Sequence, residues 1–182
     1  MFAVRSASID YRPMTAADWP FFLALHQDPD IMRYISAPRS TEDIRTHSFL
    51  PRLPPWQKGS AHWLCLVMSE KGSAIPAGVT GFIDRGDNVA EVGFILAPAF
   101  HGRGLGAGSL YDIARFAFDV CGYRRLTATV TAGNEASRRT LLKVGFTHEG
   151  TLRQNYFLQG RWQDDWLFGL LPGELCPAPR RG

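Results

Sequence analysis

The most informative segment of this chain is Pro98-Ala99-Phe100-His101-Gly102-Arg103-Gly104-Leu105-Gly106-Ala107-Gly108. It leaves a predicted strand and enters a predicted helix, residues 104–120, whose apolar side chains recur at helical spacing. Alternating glycines leave the backbone uncrowded. The unpaired N–H groups at the start of the helix therefore point outward with the positive end of the helix dipole. We predict an anion site here that fits a pyrophosphate, with Arg103 adding a cation at its rim.

The same glycines permit other interpretations. Gly102, Gly104 and Ala107 formally match the dinucleotide-binding fingerprint, and a purely structural turn is a further alternative. The fingerprint normally follows the first strand of a parallel β-α-β unit and precedes an acidic residue at the end of the next strand. Here it follows a predicted antiparallel meander, and the next strand contains Thr129 and Thr131. A GxxxxGK motif followed by Ser or Thr is absent, which excludes a nucleoside-triphosphate P-loop.

Upstream of this segment the pattern predicts one strand, two helices and three further strands. Residues 8–12 alternate polar and apolar side chains, as in a strand. Thr15 and Ser40 each precede an aspartate by three positions, so both resemble capping boxes and predict helix starts. Pro51 and Pro54-Pro55 must end the second helix. The three strands, predicted to form an antiparallel meander, are residues 62–69, 77–83 and 89–96.

Downstream, the predicted elements are a strand at 125–131, a helix at 134–144, and strands at 147–158 and 164–171. This order is neither a regular β-α-β alternation nor all-β. We predict an α/β (mixed α+β) fold, with a mixed, mostly antiparallel seven-stranded sheet flanked by about four helices. A single domain is expected over residues 1–175, followed by a loose C-terminal tail over residues 176–182.

The composition is that of a soluble globular protein and excludes several function classes. The chain has 182 residues, of which 45% are hydrophobic and 20% charged, and its net charge of +3 predicts no nucleic-acid binding. Three widely spaced cysteines without CxxC spacing favour a reducing compartment. The five histidines lack metal-ligand spacing, so no metal is predicted. Since no transmembrane run or signal peptide is visible, we expect a cytoplasmic protein without membrane contact.

Several motifs in a fixed order resemble one known family. Residues 101–107 look like the Q/R-x-x-G-x-G/A pyrophosphate loop of the GNAT N-acetyltransferase superfamily. Residues 134–137, 144–146 and 149–153 are similar to the N-x-x-S, G-F and E-G-x-L-R signatures of its RimJ/RimL-type branch. Asp164 or Asp165 before Trp166 matches the closing strand of that branch. The motifs are each degenerate, but in this order and spacing, over roughly residues 8–171, they are specific.

The resemblance implies direct transfer of an acetyl group from acetyl-CoA to a primary amine in a ternary complex. Backbone groups of Phe94, Ile95 and Leu96 would bind the pantetheine arm like an added strand and direct an N–H group at the thioester carbonyl. Asn134 would bind the cofactor or an ordered water, or cap its helix. The remaining residues that the resemblance assigns to the cofactor are His101, Gly102, Arg103, Gly104, Leu105, Gly106, Ala107 and Ser137. Arg139 or Lys143 would reach the 3′-phosphate, with surface exposure as the alternative for both.

Three side chains are candidates for the proton steps. Glu91 is the candidate general base, because strand alternation places it on one face with Gly93 and Ile95, near the expected acetyl group. The alternative for Glu91 is a solvated strand carboxylate. Ser137 is a candidate acid for the leaving thiolate, or a small residue packed at a helix start. Tyr156 is a third candidate, with a core or groove-lining role as its alternative.

Two positions depart from the family pattern. His101 stands where Gln or Arg is usual, and Leu141 stands where many GNAT enzymes have a general-acid tyrosine. The loss at Leu141 leaves open a second hypothesis, a non-catalytic CoA-binding or sensing module. A nicotinamide-dependent oxidoreductase is a third.

The sequence leaves the acceptor open between a protein N-terminus, as the branch suggests, and a small amine. The first two helices and the turn at 159–165 are expected to shape its groove. Charge alone suggests that Arg33, Arg39 and Arg45 favour a carboxylate-bearing acceptor. A homodimer is common in the branch, although the sequence shows no interface.

Overall fold

The computed structural model describes residues 3–177, which form one seven-stranded sheet with helices on both faces. The strands are β1 (Ile9–Pro13), β2 (Leu64–Glu70), β3 (Pro76–Asp84), β4 (Val89–Leu96), β5 (Arg125–Thr131), β6 (Thr147–Leu158) and β7 (Arg161–Leu170). The α-helices are α1 (Trp19–Gln27), α2 (Pro29–Met32), α3 (Thr41–Ile44), α4 (Leu105–Asp119) and α5 (Glu135–Val144). The predicted fold class is confirmed, with five α-helices in this part of the chain instead of about four.

The sheet has the order β1-β2-β3-β4-β5-β7-β6. All neighbouring strands in residues 3–177 are antiparallel except β4 and β5. The predicted meander of β2, β3 and β4 is confirmed. Its second turn contains Asp87 and Asn88 at φ of 50° and 58°, a conformation that Asn and Asp tolerate best after glycine. The crossover through α4 is what brings β5 parallel to β4.

The helical segment predicted from Ser40 to Pro51 changes pitch along its length. The hydroxyl of Ser40 accepts a hydrogen bond from the N–H of Asp43 at 3.1 Å and caps α3. After α3 the chain continues as a π-helical turn (Arg45–Phe49) and a 3-10 turn (Leu50–Arg52). Because proline fits the first turn of a helical element, Pro51 lies inside this last turn, and the segment ends at Arg52.

The last hairpin is longer than the sequence predicts. Strand β7 begins at Arg161, and not at residue 164, because Gln159 and Gly160 form a two-residue turn with φ of 53° and 77°. Leu158 therefore pairs with Arg161 directly across this turn. Most of the turn predicted at 159–165 is strand, so only its first residues are free to shape a groove.

The predicted tail starts against the fold. The N–H of Cys176 donates a hydrogen bond to the carbonyl oxygen of Val144 at 3.0 Å. Residues 178–182 of this tail lie outside the described residues.

Two apolar layers hold the sheet between its helices. On one face, Phe82, Leu126 and Phe168 pack with Ile113 of α4 and with side chains of α5. On the other face, the core side chains of the N-terminal helices pack on the first strands; they are Phe22, Leu25, Ile44 and Phe49. Both layers exclude water, so each face of the sheet is fixed independently. No helix in residues 3–177 has the length and apolar character needed to cross a bilayer.

Candidate active site between two parallel strands

The two parallel strands separate along their length. β4 and β5 pair only where Val89, Ala90 and Glu91 lie beside Arg125, Leu126 and Thr127. Beyond this point β4 continues to Leu96 along β3, while β5 continues to Thr131 along β7. A gap therefore opens in the middle of the sheet, between the C-terminal halves of the two strands.

A cleft of about 400 Å³ passes through this gap. Its lining comes from both faces of the sheet. Asn134, Ser137 and Leu141 of the α5 region line one side, while Phe22, His26 and Arg52 line the side of the N-terminal helices. Two ligands could thus enter from opposite faces and meet between the strands.

The register with β3 determines which backbone groups of β4 face the gap. The N–H of Arg85 donates to Val89 O, and the N–H of Ala97 donates to Ala77 O, both at 2.8 Å. In an antiparallel ladder alternate residues bond to the partner. The register thus directs Ile95 toward β3, and directs the N–H and C=O groups of Phe94 and Leu96 into the gap. Of the three predicted backbone contacts, Phe94 and Leu96 are the ones positioned for an added strand.

The start of α4 has the geometry of an anion site. Gly102 and Gly104 adopt φ of 74° and 76°, and a Cβ atom at either position would meet nothing within 4 Å. The first hydrogen bond of the helix runs from the N–H of Gly108 to Gly104 O at 3.0 Å. The N–H groups of the preceding residues, 105–107, consequently have no acceptor within the helix. The positive end of the helix dipole thus lies beside open space, and a phosphate group needs both to bind.

The two polar side chains of this loop, Arg103 and His101, each contact other residues of the protein. The guanidinium of Arg103 lies 3.3 Å from the carboxylate of Glu70 and 5.2 Å from the centroid of the Phe100 ring. The Nε2 atom of His101 lies 3.0 Å from Leu96 O. His101 thus contacts the end of β4, so the free polar groups of this segment are the backbone N–H groups at the start of α4.

The start of α5 adds polar groups to the cleft. The Oδ1 atom of Asn134 accepts a hydrogen bond from the N–H of Ser137 at 3.3 Å, so the predicted helix cap is present. Both side chains line the cleft, whereas Arg139 is exposed and lies outside its lining. Leu141 lines the cleft one turn later and is buried, with 2% of its surface exposed. A hydroxyl is therefore present at Ser137 and absent at Leu141.

Glu91 lies in the cleft lining, where the strands begin to separate. Its Oε2 atom accepts a hydrogen bond from Nε of Arg85 at 2.8 Å, an ion pair at the edge of the cleft. No described residue hydrogen-bonds to its Oε1 atom, which leaves one carboxylate oxygen for a ligand. Gly93 lies on the same face of β4, where a Cβ would come within 3.1 Å of the Trp63 ring.

The third predicted catalytic residue, Tyr156, joins two parts of the cleft wall. Its hydroxyl donates a hydrogen bond to Ile35 O at 2.7 Å, and Gln159 donates to Arg33 O at 3.2 Å. The β6–β7 hairpin is thereby attached to the chain after α2. Tyr156 lines the cleft and has 37% of its surface exposed, in agreement with a groove-lining position.

Three cleft residues were missed as functional candidates by the sequence reasoning. Asp165 is 5% exposed, pairs in register with Thr131, and accepts a hydrogen bond from Asn155 at 2.8 Å. The sequence did not single out Asp165, because it directly follows Gln163 and Asp164 at the polar start of the strand. His26 and Arg52 offered no signal, because the two lie on different elements of the N-terminal helical region.

His26 is a neutral side chain at this end of the cleft. Its ring stacks on Phe22 with centroids 4.0 Å apart, and its Nδ1 atom lies 2.9 Å from Phe22 O. Burial, reinforced by the charges of Arg52 and Arg39, lowers the pKa of His26 to about 4. With Nδ1 donating to Phe22 O, the Nε2 atom is a hydrogen-bond acceptor.

Among the described residues no cluster of His, Cys, Asp or Glu side chains could hold a metal ion.

These features define a class of transferase in which a glycine-rich helix start lies beside a sheet opened between two parallel strands. Residues 9–147 match the family model described as an acetyltransferase (GNAT) domain. The chain belongs to the GNAT acetyltransferase family. It is also 25% identical, over 168 residues, to the uncharacterized N-acetyltransferase p20 of Bacillus licheniformis, an alignment that covers 91% of this chain and 93% of p20.

Solved structures show the same fold. A GNAT-family acetyltransferase from Bacillus anthracis superposes with a TM-score of 0.81 at 21% identity. The superposition covers 95% of this chain and 100% of the Bacillus anthracis chain. Spermidine N-acetyltransferase from Vibrio cholerae, solved in complex with CoA and spermine, superposes with a TM-score of 0.76 at 19% identity. That match covers 93% of this chain and 98% of the other. At these identities the likeness concerns the fold alone.

The anion site at α4 generates a first prediction. Gly104→Ala should raise the Kd for acetyl-CoA about tenfold, the equivalent of one lost hydrogen bond to a charged group, because φ of 76° disfavours alanine and the Cβ enters the open space. Isothermal titration calorimetry measures this Kd. Gly86→Ala is the matched control, since Gly86 has φ of 81° and open space but lies in the β3–β4 turn. Equal Kd changes in both variants would contradict an anion site at Gly104.

The pKa of His26 generates a second prediction. Since the folded pKa of about 4 lies below the unfolded value of 6.5, the unfolded state binds more protons between these values. Stability should therefore be lost as pH falls through this window. Between pH 7 and pH 4.5 the wild type should lose about 2 kcal/mol more unfolding free energy than His26→Phe, which keeps the ring stack on Phe22. Urea denaturation at both pH values measures the difference. Identical pH slopes for the two proteins would show that His26 is not held neutral.

Proposed function

We propose that this chain is an acetyl-CoA-dependent N-acetyltransferase of the RimJ/RimL-type branch, which moves an acetyl group directly to a primary amine. The observation that supports this most is the cleft through the gap between β4 and β5, which is open to both faces of the sheet. Direct transfer needs two substrates in contact, and such a passage lets each reach the reaction point from its own side.

The cofactor would occupy the side that contains α4 and α5. The backbone N–H groups at the start of α4 would bind the pyrophosphate. The pantetheine arm would then extend along β4 and bond to the backbone of Phe94 and Leu96, whose polar groups face the gap. The N–H of Phe94 would donate to the thioester carbonyl oxygen, where negative charge develops during attack.

The amine would enter from the side of the N-terminal helices. Glu91 accepts a proton from the ammonium group, directly or through one water molecule, with its free Oε1 atom. The neutral nitrogen then attacks the thioester carbon, a C–N bond forms and the C–S bond breaks. The proton that the nitrogen loses as the amide forms balances the proton that the leaving thiolate gains.

Ser137 is the favoured proton donor to that thiolate. The hydroxyl hydrogen of Tyr156 is already donated to Ile35 O at 2.7 Å, whereas Ser137 lies at the cofactor side of the cleft. Ser137 would pass its proton to sulfur and recover one from the nitrogen. Tyr156 remains the alternative acid if its bond to Ile35 opens.

A second candidate function is a non-catalytic CoA-binding or sensing module. It is favoured by Leu141, a buried apolar side chain at the position where many family members have a general-acid tyrosine. Such a module would keep the anion site and the gap but would not turn over.

The experiment that separates these functions is a thiol-release assay with acetyl-CoA and a panel of primary amines. The panel includes peptides with Ser, Ala and Met at the N-terminus, polyamines, aminoglycosides and amino acids. Acceptor-dependent release of CoA supports the transferase. Binding of acetyl-CoA by calorimetry without release from any acceptor supports the sensing module.

The role of Glu91 can be tested with the best acceptor from that panel. Glu91→Gln should lower kcat about 100- to 10,000-fold at neutral pH, the usual contribution of a general base, while the Kd for acetyl-CoA stays the same. Glu42→Gln is the control, because Glu42 is an exposed carboxylate on α3, outside the cleft. A kcat within a few-fold of wild type in Glu91→Gln would identify Glu91 as a solvated strand carboxylate.

A further inference from the structure

The acceptor side of the cleft contains a cation for which the fold supplies no anion. Arg52 lines the cleft at the end of the helical segment that follows α3. In residues 3–177 it forms no ion pair, and its one protein hydrogen bond runs from NH1 to Ser48 O at 2.8 Å. A guanidinium has five N–H donors, so most of its donors are available to a ligand.

Arg52 is also held in place by its surroundings. Its guanidinium lies over the ring of Trp63, 5.6 Å from the ring centroid. The far edge of the same ring reaches Gly93 on β4. Trp63 therefore links Arg52 to the strand beside the reaction point. An arginine fixed by a stacked ring and a backbone carbonyl presents its donors in a defined direction.

The neighbours of Arg52 do not neutralise its charge. The nearest other guanidinium, Arg39, bonds to the hydroxyl of Ser48 at 2.7 Å and is neutralised by an ion pair with Asp43. Cys65 is buried, and burial raises the pKa of its thiol to about 12, so it carries no charge at neutral pH. His26 is neutral because burial lowers its pKa to about 4. Burial lowers the pKa of Arg52 itself, which reflects a charged group with little water and no counterion.

Charges of the opposite sign lie at the other end of the acceptor side. Glu91 and Asp165 both line the cleft near the gap. Strand register places them on one face of the sheet, since Glu91 pairs with Thr127 of β5, and Asp165 pairs with Thr131 of the same strand. These carboxylates suit an ammonium group. Arg85 pairs with one oxygen of Glu91, whereas Asp165 bonds to the neutral amide of Asn155, so Asp165 supplies the unneutralised negative charge at the end opposite to Arg52.

We propose that the acceptor is a primary amine that also bears a carboxylate, and that this carboxylate binds the guanidinium of Arg52. The inference rests on the proposed acetyl transfer and names the class of acceptor for it. A planar carboxylate can take two parallel N–H bonds from one guanidinium, and Arg52, with one hydrogen bond to the described residues, keeps enough donors for such a pair. With the amine drawn to Glu91 and Asp165, both ends of the acceptor are recognised.

The arginines that the sequence suggested for this role lie elsewhere. Arg39 is paired with Asp43, Arg45 lies over the ring of Trp19, and Arg33 lies over the ring of Tyr34. None of the three lines the cleft. A polyamine acceptor, with a second ammonium in place of the carboxylate, would bring like charges together at Arg52.

The test compares matched acids and amides as acceptors in the thiol-release assay. The pairs are 4-aminobutanoate with 4-aminobutanamide, and phenylalanine with phenylalaninamide. The ratio of kcat/KM for acid over amide is measured in the wild type, Arg52→Gln, Arg52→Lys and the control Arg45→Gln. Comparing this ratio between proteins cancels the different basicities of the two amines. Acetyl-CoA binding and thermal unfolding show that each variant is folded.

We expect Arg52→Gln to lower the acid-to-amide ratio about 10- to 100-fold, the usual weight of charge-assisted hydrogen bonds. The acid-to-amide ratio of Arg52→Lys, which keeps the charge but loses the planar guanidinium, should lie between those of the wild type and Arg52→Gln. The ratio of Arg45→Gln should match the wild type. An unchanged ratio in Arg52→Gln, or a wild type that prefers amides or spermidine, overturns the carboxylate site. Acetyl transfer itself stands in that case, because an amine is still acetylated.

The carboxylate site can also be tested without turnover. If no amine releases CoA, the complex with CoA is titrated by calorimetry with the N-acetylated derivatives of the same acids and amides. Tighter binding of the acid that is lost in Arg52→Gln upholds the carboxylate site, although the proposed transfer fails. Equal binding of acid and amide, or no binding of either, overturns the site.

Discussion

The parallel pairing of β4 with β5, and its early end, is the constraint on which the functional part of this molecule depends. Hydrogen bonds join the two strands only near Glu91 and Thr127, after which each strand follows a different neighbour. Backbone N–H and C=O groups in the interior of a sheet are rarely left without partners. Past Glu91 the edge of β4 that faces β5 therefore has no partner strand, and the cleft follows from this topology.

The same separation gives the two faces of the sheet different chemistry. Helix α4 starts beside the end of β4, so its free N–H groups and its dipole act on the face that holds α5. The opposite face is covered by the helical segments before β2, which contribute the side chains of His26 and Arg52. Because each face packs on its own apolar layer, the two sides of the cleft are built by different helices.

The charged side chains of the cleft differ from those on the rest of the surface in their position and their partners, and not in their number. The chain as a whole has a net charge of +3, and several arginines in residues 3–177 are paired with carboxylates or stacked on rings. Arg52 differs because it lies in the cleft and its neighbours are neutral or positive. A desolvated charge of this kind costs stability as long as it lacks a counterion.

Local patterns predicted most of the fold. The bounds of β4, β5 and β6 agree with the sequence prediction, since alternation and turn residues are properties of neighbouring positions. The start of α4 was predicted for the same reason, because glycines and a helix start are adjacent in the chain. The start of β7 was not, because pairing across the turn at Gln159 and Gly160 extends it beyond its apolar run.

The sequence by itself therefore determined the mixed sheet, the glycine-rich helix start and the face on which Glu91 lies, all of which depend on short-range periodicity. Only the tertiary structure decided which side chains share the cleft. Arg52, Glu91 and Asp165 come from distant parts of the chain, and they meet because the crossover through α4 makes β5 parallel to β4. The same assembly distinguished Arg52 from Arg39 and Arg45, since the ion pair of Arg39 with Asp43 and the position of Arg52 in the cleft lining are contacts in space that spacing along the chain does not reveal.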